Sequence, residues 1–336
     1  MEATVILSDQ SGVAHARRSA VALAQSLGFS ERVQADAALV VSEAATNILK
    51  YARSGEIHLA PYANHADPTA SGIEIVAVDR GPGIVNVEAA RKDGFSTGGS
   101  LGAGLGTMER HSALFDFYSL AGSGTVLLAR VASKAAGDAG KRPWTVGARS
   151  TPKLGQQICG DAWSMSETGD ALWITLLDGL GHGPLASEAS HRALGVFRER
   201  AGGDDSPGDV LRAAHAGLRS TRGAVMAVAK FEPAKKSMTY AGVGNIVAIV
   251  NTGEVNQHLV STDGTVGYNM RLVRESHADW NARSVFIATT DGLSTRWNLS
   301  RHPDLLAHHP VVIAHVLHRD FARDNDDASI VVVKAA

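Results

Sequence analysis

The chain has no second cysteine for Cys159 to join, so no disulfide can form within it. A reducing compartment fits that absence, and Cys159, between Ile158 and Gly160 with no basic neighbour, reads as a small core residue rather than a reactive thiol. No apolar run approaches the roughly 20 residues that span a bilayer, and no basic-then-apolar leader opens the sequence. Nor is there an excess of either charge: the net charge of −2 carries no footprint for nucleic acid or an anionic membrane. Repeats and low-complexity tracts are missing too. These absences predict a soluble, cytoplasmic protein without nucleic-acid or membrane partners.

What is present is enough chain, 336 residues, for two domains. The clearest change of composition is "ASKAAGDAGKRP", Ala132–Pro143, which is small, polar and without hydrophobic period. It reads as a linker (132–143) between a first domain (1–131) and a second (144–336). Ahead of it run two amphipathic helices, then the strand "GIEIVAVD", a loop, a helix, and a strand pair around a Gly-Ser-Gly turn. Behind it strands dominate, with helices around "PLASEASHRALGVFRERA" and "PGDVLRAAHAGLRS". Five histidines in "RHPDLLAHHPVVIAHVLHRD" lack paired acids or cysteines at metal-binding spacing, and predict a solvated amphipathic helix instead.

In the second helix Glu43 and Asn47 stand four apart and share a face. An amide oxygen there can hold a hard cation, and a carboxylate can orient or deprotonate a hydroxyl. Asp79 ends an apolar strand and is followed by Gly81 and Gly83, a turn through which backbone can approach a flat ring. "GGSLGAGLGT", Gly98–Thr107, runs into a helix beginning near Leu105, and free amides at a helix start suit phosphates. A dinucleotide-fold reading fails, because this glycine loop does not follow the first strand of a βαβ unit.

In order, "SEAATNILKYA", "DRGPGI", "GAGLGT" and "GSGT" resemble the four boxes of the GHKL ATP-binding fold, over roughly residues 1–131. The resemblance implies an α/β two-layer sandwich that binds ATP and Mg²⁺. It makes Glu43 the catalytic base and Asn47 the Mg²⁺ ligand, with Asp79 recognising the adenine amine. Gly102, Gly104 and Gly106 become the phosphate lid, and Thr125 lies near the base. About 20 residues separate Asp79 from the lid glycines, a short lid that points to the anti-sigma-factor serine kinase branch. "EAATNILKYARSGEI" is similar to the stress-signalling switch kinases. The partner implied is a STAS-domain antagonist or stressosome-like protein, with a sigma factor or another phosphatase as further candidates. A nucleotide-dependent binding module that transfers no phosphoryl group is the alternative, and a plain ATPase a third.

A second glycine-rich stretch, "LLDGLGHGP" (Leu176–Pro184), imitates a phosphate loop but has no lysine after it, and its aspartate would repel the ligand. The aspartate is the informative residue. Asp178, Asp161 in "ICGDAWSM", Asp291 after "VFIATT", and Asp326–Asp327 before "ASIVVVK" all stand at strand ends. Such acids suit a pair of Mg²⁺ or Mn²⁺ ions that activate a water and neutralise a phosphate. "GDAWS", "LLDGLGHG", "ATTDGL" and "DDAS" resemble, in order, the metal-dependent PPM-type Ser/Thr phosphatases of the compact SpoIIE-like branch, an αββα sandwich. The resemblance implies that Asp178 bridges both metals and that the Gly179 carbonyl ligates one. Asp291 and Asp326 complete the second site, and Asp161 orients a metal-bound water. Of the adjacent acids, strand alternation favours Asp326. His182 is expected to be structural, as is "YAGVGN". The whole reads as a kinase fused to its opposing phosphatase.

Overall fold

The computed structural model describes residues 2–63, 71–85, 104–132, 142–295 and 297–336. Two compact units emerge: 1–142 with 302–308, and 143–301 with 309–336.

In the first unit, strand β1 (Ala3–Leu7) leads into helices α1 (Gln10–Ser26) and α2 (Glu31–Asn47), then β2 (Gly55–Tyr62), β3 (Gly72–Asp79), helix α3 (Gly104–Arg110), β4 (Leu114–Leu120) and β5 (Gly124–Ala132). All five strands are antiparallel, in the order β1-β2-β3-β5-β4. Asp9 caps α1 by accepting from the amides of Ser11 (2.8 Å) and Gly12 (3.3 Å), two donors with no partner inside the helix. The small residues Ala37, Val41 and Ala44 let α2 lie close on the sheet, against Leu59, Ile75 and Ala129. After Asn47 the helix widens into a π-turn, Ile48–Ala52, closed by Arg53 at φ +68°. Two strands escape the sequence reading: β1 is very short, and His58 and Pro61 interrupt the apolar run of β2.

The second unit contains β6 (Trp144–Thr151), β7 (Asp161–Thr168), β8 (Ala171–Gly179), α4 (Pro184–Arg200), α5 (Pro207–Gly217), β9 (Ala224–Glu232), β10 (Ser237–Val243), β11 (Val247–Asn251) and β12 (Asn256–Leu259). A two-residue ladder of β13 (Gly264–Thr265) and β14 (Asn269–Met270) follows, then β15 (Glu275–Asp279), β16 (Val285–Thr289), α6 (Pro310–Phe321) and β17 (Ala328–Ala335). Two five-stranded antiparallel sheets result, β15-β10-β9-β8-β7 and β12-β11-β16-β17-β6. Phe231, Tyr240, Trp280, Phe286 and Val331 fill the space between them. Helices α4 and α5 cover the outer face of the first sheet and α6 that of the second. β8 and β17 are therefore buried on both faces, which explains their unbroken apolar runs.

The helix in the histidine-rich stretch corrects the expectation of a solvated surface. Val311 to Leu317 are buried without interruption, and His315 is buried with Nδ1 2.8 Å from the Val311 carbonyl. The run Val311–Ala314 closes one layer of the sandwich, so His315 and His318 stand on a largely buried helix that His309 caps. Among the described residues no helix is long and apolar enough to cross a membrane.

Candidate functional sites

Each unit gathers its predicted residues at one end of its sheet. In the first, Glu43 and Asn47 lie in the last turns of α2, and Gly104 opens α3 directly against them. A Cβ built on Gly104 would lie 3.2 Å from Glu43 Oε2 and 3.4 Å from Asn47 Nδ2. The glycine thus lets backbone approach a carboxylate and a carboxamide without a side chain between. Gly106 is buried in the same short helix. Gly102 lies outside the described residues.

Asp79, the last residue of β3, accepts at Oδ1 from the amides of Gly81 (2.8 Å) and Thr125 (3.2 Å). These bonds tie the β3 turn to the start of β5 and fix the carboxylate. Thr125 Oγ1 is 2.8 Å from Ser119 Oγ, which in turn accepts from the Ile84 amide at 2.8 Å. Ser119 is therefore a member of the cluster that the sequence motifs did not mark. Gly83, at φ +69°, places the turn where a Cβ would collide with the Leu120 carbonyl. Gly81 packs on Ala52, at the end of the π-turn.

In the second unit Asp161 and Asp178 face each other across the β7–β8 ladder. Asp161 is 5% exposed; its Oδ2 accepts from Thr290 Oγ1 at 2.8 Å, and its Oδ1 is buried with no partner among the described residues. Burial above all, then the charges of Asp161, Asp291, Asp326 and Asp327, pushes the Asp178 carboxyl up to about 9. Burial likewise raises Asp161 to about 7, opposed by the hydrogen bond from Thr290. Asp291 shifts upward too, from burial and from Asp326, while the Asn245 amide, donating to its Oδ2 at 2.7 Å, pulls it back.

The two adjacent acids have different surroundings. Asp327 is buried and both its oxygens are occupied, Oδ1 by the Lys153 amide and Oδ2 by the Gly160 amide, each at 2.8 Å. Asp326 is half-buried and, among the described residues, accepts only from the Asp327 amide, at 3.0 Å. Asp327 thus braces two backbone segments, and Asp326 keeps lone pairs for a ligand. Asn245 ends "YAGVGN" and Thr290 lies within "ATTDGL", so the motifs mark both positions without showing that each orients an acid.

Glycine makes this crowding feasible. A Cβ on Gly179 would collide with the Ala186 carbonyl, and one on Gly292 with the Asp327 carbonyl. His182 is exposed. Cys159 is half-buried, its Sγ 3.5 Å from the Thr151 carbonyl, and burial plus the neighbouring acids push its thiol up to about 12.

Among the described residues no three His, Cys, Asp or Glu side chains are drawn into a preformed metal cage. The acids share a field rather than one point. Even so, an orphaned buried oxygen on Asp161 and a carboxylate on Asp178 held protonated by burial and its acidic neighbours fit hard divalent cations. A cation removes both costs at once.

Residues 6–131 match the histidine kinase-like ATPase domain, and residues 168–336 match Stage II sporulation protein E (SpoIIE). The serine/threonine-protein kinase RsbT of Bacillus subtilis (strain 168) is 40% identical over 107 residues, 32% of this chain and 78% of RsbT. The phosphoserine phosphatase RsbX of the same organism is 27% identical over 158 residues, 46% of this chain and 74% of RsbX. A crystal structure of RsbX in complex with magnesium superposes with a TM-score of 0.50 at 22% identity, covering 57% of this chain and 96% of that one, which establishes the shared fold. Joining an RsbT-like ATPase domain to a PPM-type phosphatase domain, the chain belongs to the SpoIIE family.

Proposed function

We propose that the chain is a bifunctional switch. Its first unit transfers the γ-phosphoryl group of ATP to a serine or threonine of a STAS-domain partner, and its second unit removes it. The reading of the second unit is carried by Asp161 facing Asp178 across the β7–β8 ladder with an unpartnered buried oxygen, in a field shared with Asp291 and Asp326. Asp178, the Gly179 carbonyl, Asp291 and Asp326 would hold two Mg²⁺ or Mn²⁺ ions, with Asp161 beside them. Bound there, such ions supply Lewis acidity toward a phosphate ester and toward an attacking water. Thr290 and Asn245 hold Asp161 and Asp291 in place by donating to one oxygen of each.

For the first unit, support comes from the contact of Gly104 with Glu43 and Asn47 and from the fixed Asp79 carboxylate. Asn47 would hold Mg²⁺ on the ATP phosphates, Gly102, Gly104 and Gly106 would close over them, and Asp79 would accept from the adenine amine. Thr125 and Gly81 set the Asp79 carboxylate, and Gly83 the turn beyond it. Glu43 would take the proton of the acceptor hydroxyl, while the remaining work is positioning and charge neutralisation. Incubating the purified chain with labelled ATP, Mg²⁺ and a STAS-domain antagonist tests the transfer. Label on a serine or threonine of the antagonist is the expected result. Tight ATP binding with no label would replace the kinase with a nucleotide-dependent binding module.

A further inference from the structure

A cluster built of acids attracts cations but offers a phosphate dianion nothing to orient it. Orientation needs donors in a fixed fork, which is the chemistry of arginine. One guanidinium group stands on the loop that carries Asp326 and Asp327, and a second on the loop before β9, which is hydrogen-bonded to the loop that follows Asp178. The Arg323 amide donates to the carbonyl of Gly292 at 2.9 Å, next to Asp291, and its charge acts on the Asp291 carboxylate. Arg222 Nη1 lies 3.3 Å from where a Cβ of Gly181 would sit, in the loop that follows Asp178. That loop is tied to the residue after Arg222, since the Leu180 amide donates to the Gly223 carbonyl at 3.1 Å.

Both side chains are exposed, and among the described residues neither has a hydrogen bond or ion pair. Other exposed arginines, Arg271 and Arg283 among them, also lack a side-chain partner among the described residues, while Arg130, Arg200 and Arg212 pair with Glu74, Asp205 and Asp209. What distinguishes Arg222 and Arg323 is their place beside the acid-bearing loops. Arg222 and Arg323 therefore keep their forks free beside an acid cluster, where a salt bridge to an acid would be expected.

We propose that Arg323 and Arg222 are the phosphate-binding residues of the second unit, gripping the phosphoryl group of a phosphoserine or phosphothreonine. The proposal rests on the phosphatase reading, with the acids holding cations and the arginines holding the anion those cations act upon.

The test is calorimetric titration of inorganic phosphate into the Mg²⁺-loaded full chain, with KM and kcat for a phosphoserine peptide measured alongside. Arg323→Ala and Arg222→Ala should each weaken phosphate binding about tenfold or more, the scale of a charge-assisted hydrogen bond. KM for the peptide should rise more than kcat falls, and Arg323→Lys should fall between, keeping charge without the fork. Unchanged phosphate affinity in both alanine variants, or no phosphate binding by the wild-type chain, would overturn the proposal. An equal loss in Arg212→Ala would also overturn it, by showing an effect of bulk charge. Variants that lose phosphate affinity in a chain that hydrolyses no phosphoserine would leave the grip standing and remove the phosphatase reading.

Discussion

Asp178 combines two opposed demands in one side chain. Without a cation it is a half-buried acid among acids, pushed up to about 9, whereas an unfolded chain releases that proton at about 4. Between those values the folded protein binds more protons than the unfolded one, so the stability of the cation-free chain falls as pH rises across the window. Asp178→Asn removes the repulsion. In EDTA at pH 8 this variant should melt higher than wild type, by about 2–4 °C for each kcal/mol recovered. The same variant should abolish Mn²⁺-dependent hydrolysis of p-nitrophenyl phosphate; activity that persists in it, or survives EDTA in wild type, would remove the metal assignment. The neighbouring acids show where sequence stops. "DDAS" announces two carboxylates before a buried strand, but nothing in it says that Lys153 and Gly160 donate both their amides to Asp327. Those donors are more than 160 residues away, and only the folded chain divides bracing from ligand capacity.

At the scale of elements, glycines separate into those the packing requires and those it does not. Gly179 ends β8 under α4, and Gly179→Ala should lower the melting temperature of the second unit because backbone must move to admit the Cβ. Gly195, inside α4, faces open space, with nothing within 4 Å of where a Cβ would sit. Gly195→Ala should raise stability by about 1 kcal/mol through helix propensity alone, read by denaturant midpoint. The elements most legible in sequence were the long periodic ones: α1, α2, and the buried strands β8, β9, β16 and β17. β7 escaped because its apolar residues are interrupted by Ser164, Ser166 and Glu167 at a half-exposed edge of the sheet. α6 was read as a helix with the wrong exposure, since the histidines in and just before it suggest water where the layer closes over it.

For the whole molecule, the proposed pairing of activities predicts a time course rather than an end point. With ATP, Mg²⁺ and Mn²⁺, the wild-type chain should label its STAS-domain partner transiently. Asp178→Asn should leave the label in place, and Asn47→Ala should lose Mg²⁺-dependent nucleotide binding and never install it. Autoradiography of the partner over time reads all three, and a label that does not persist in Asp178→Asn would show that the second unit is not its eraser. The two-domain order and both families were legible because each domain scatters short motifs in a fixed order, and order is far less degenerate than any one glycine turn. The division of units was less legible: residues 302–308, deep in the second half of the chain, group with the first unit.

The π-turn after Asn47 has a consequence for insertions and deletions. A π-turn holds one residue more than the α-helical turn it replaces, so Ile48–Ala52 carries a built-in extra position between Asn47 and Ala52. That extra position sets the angle at which Ala52 meets Gly81, next to the Asp79 carboxylate. Removing one residue from 48–52 would restore regular helix and rotate Ala52 by about 100°, leaving α2 and Asn47 intact. Such a deletion should preserve far-UV circular dichroism while abolishing nucleotide binding, a reading-frame error of geometry with every proposed ligand still present.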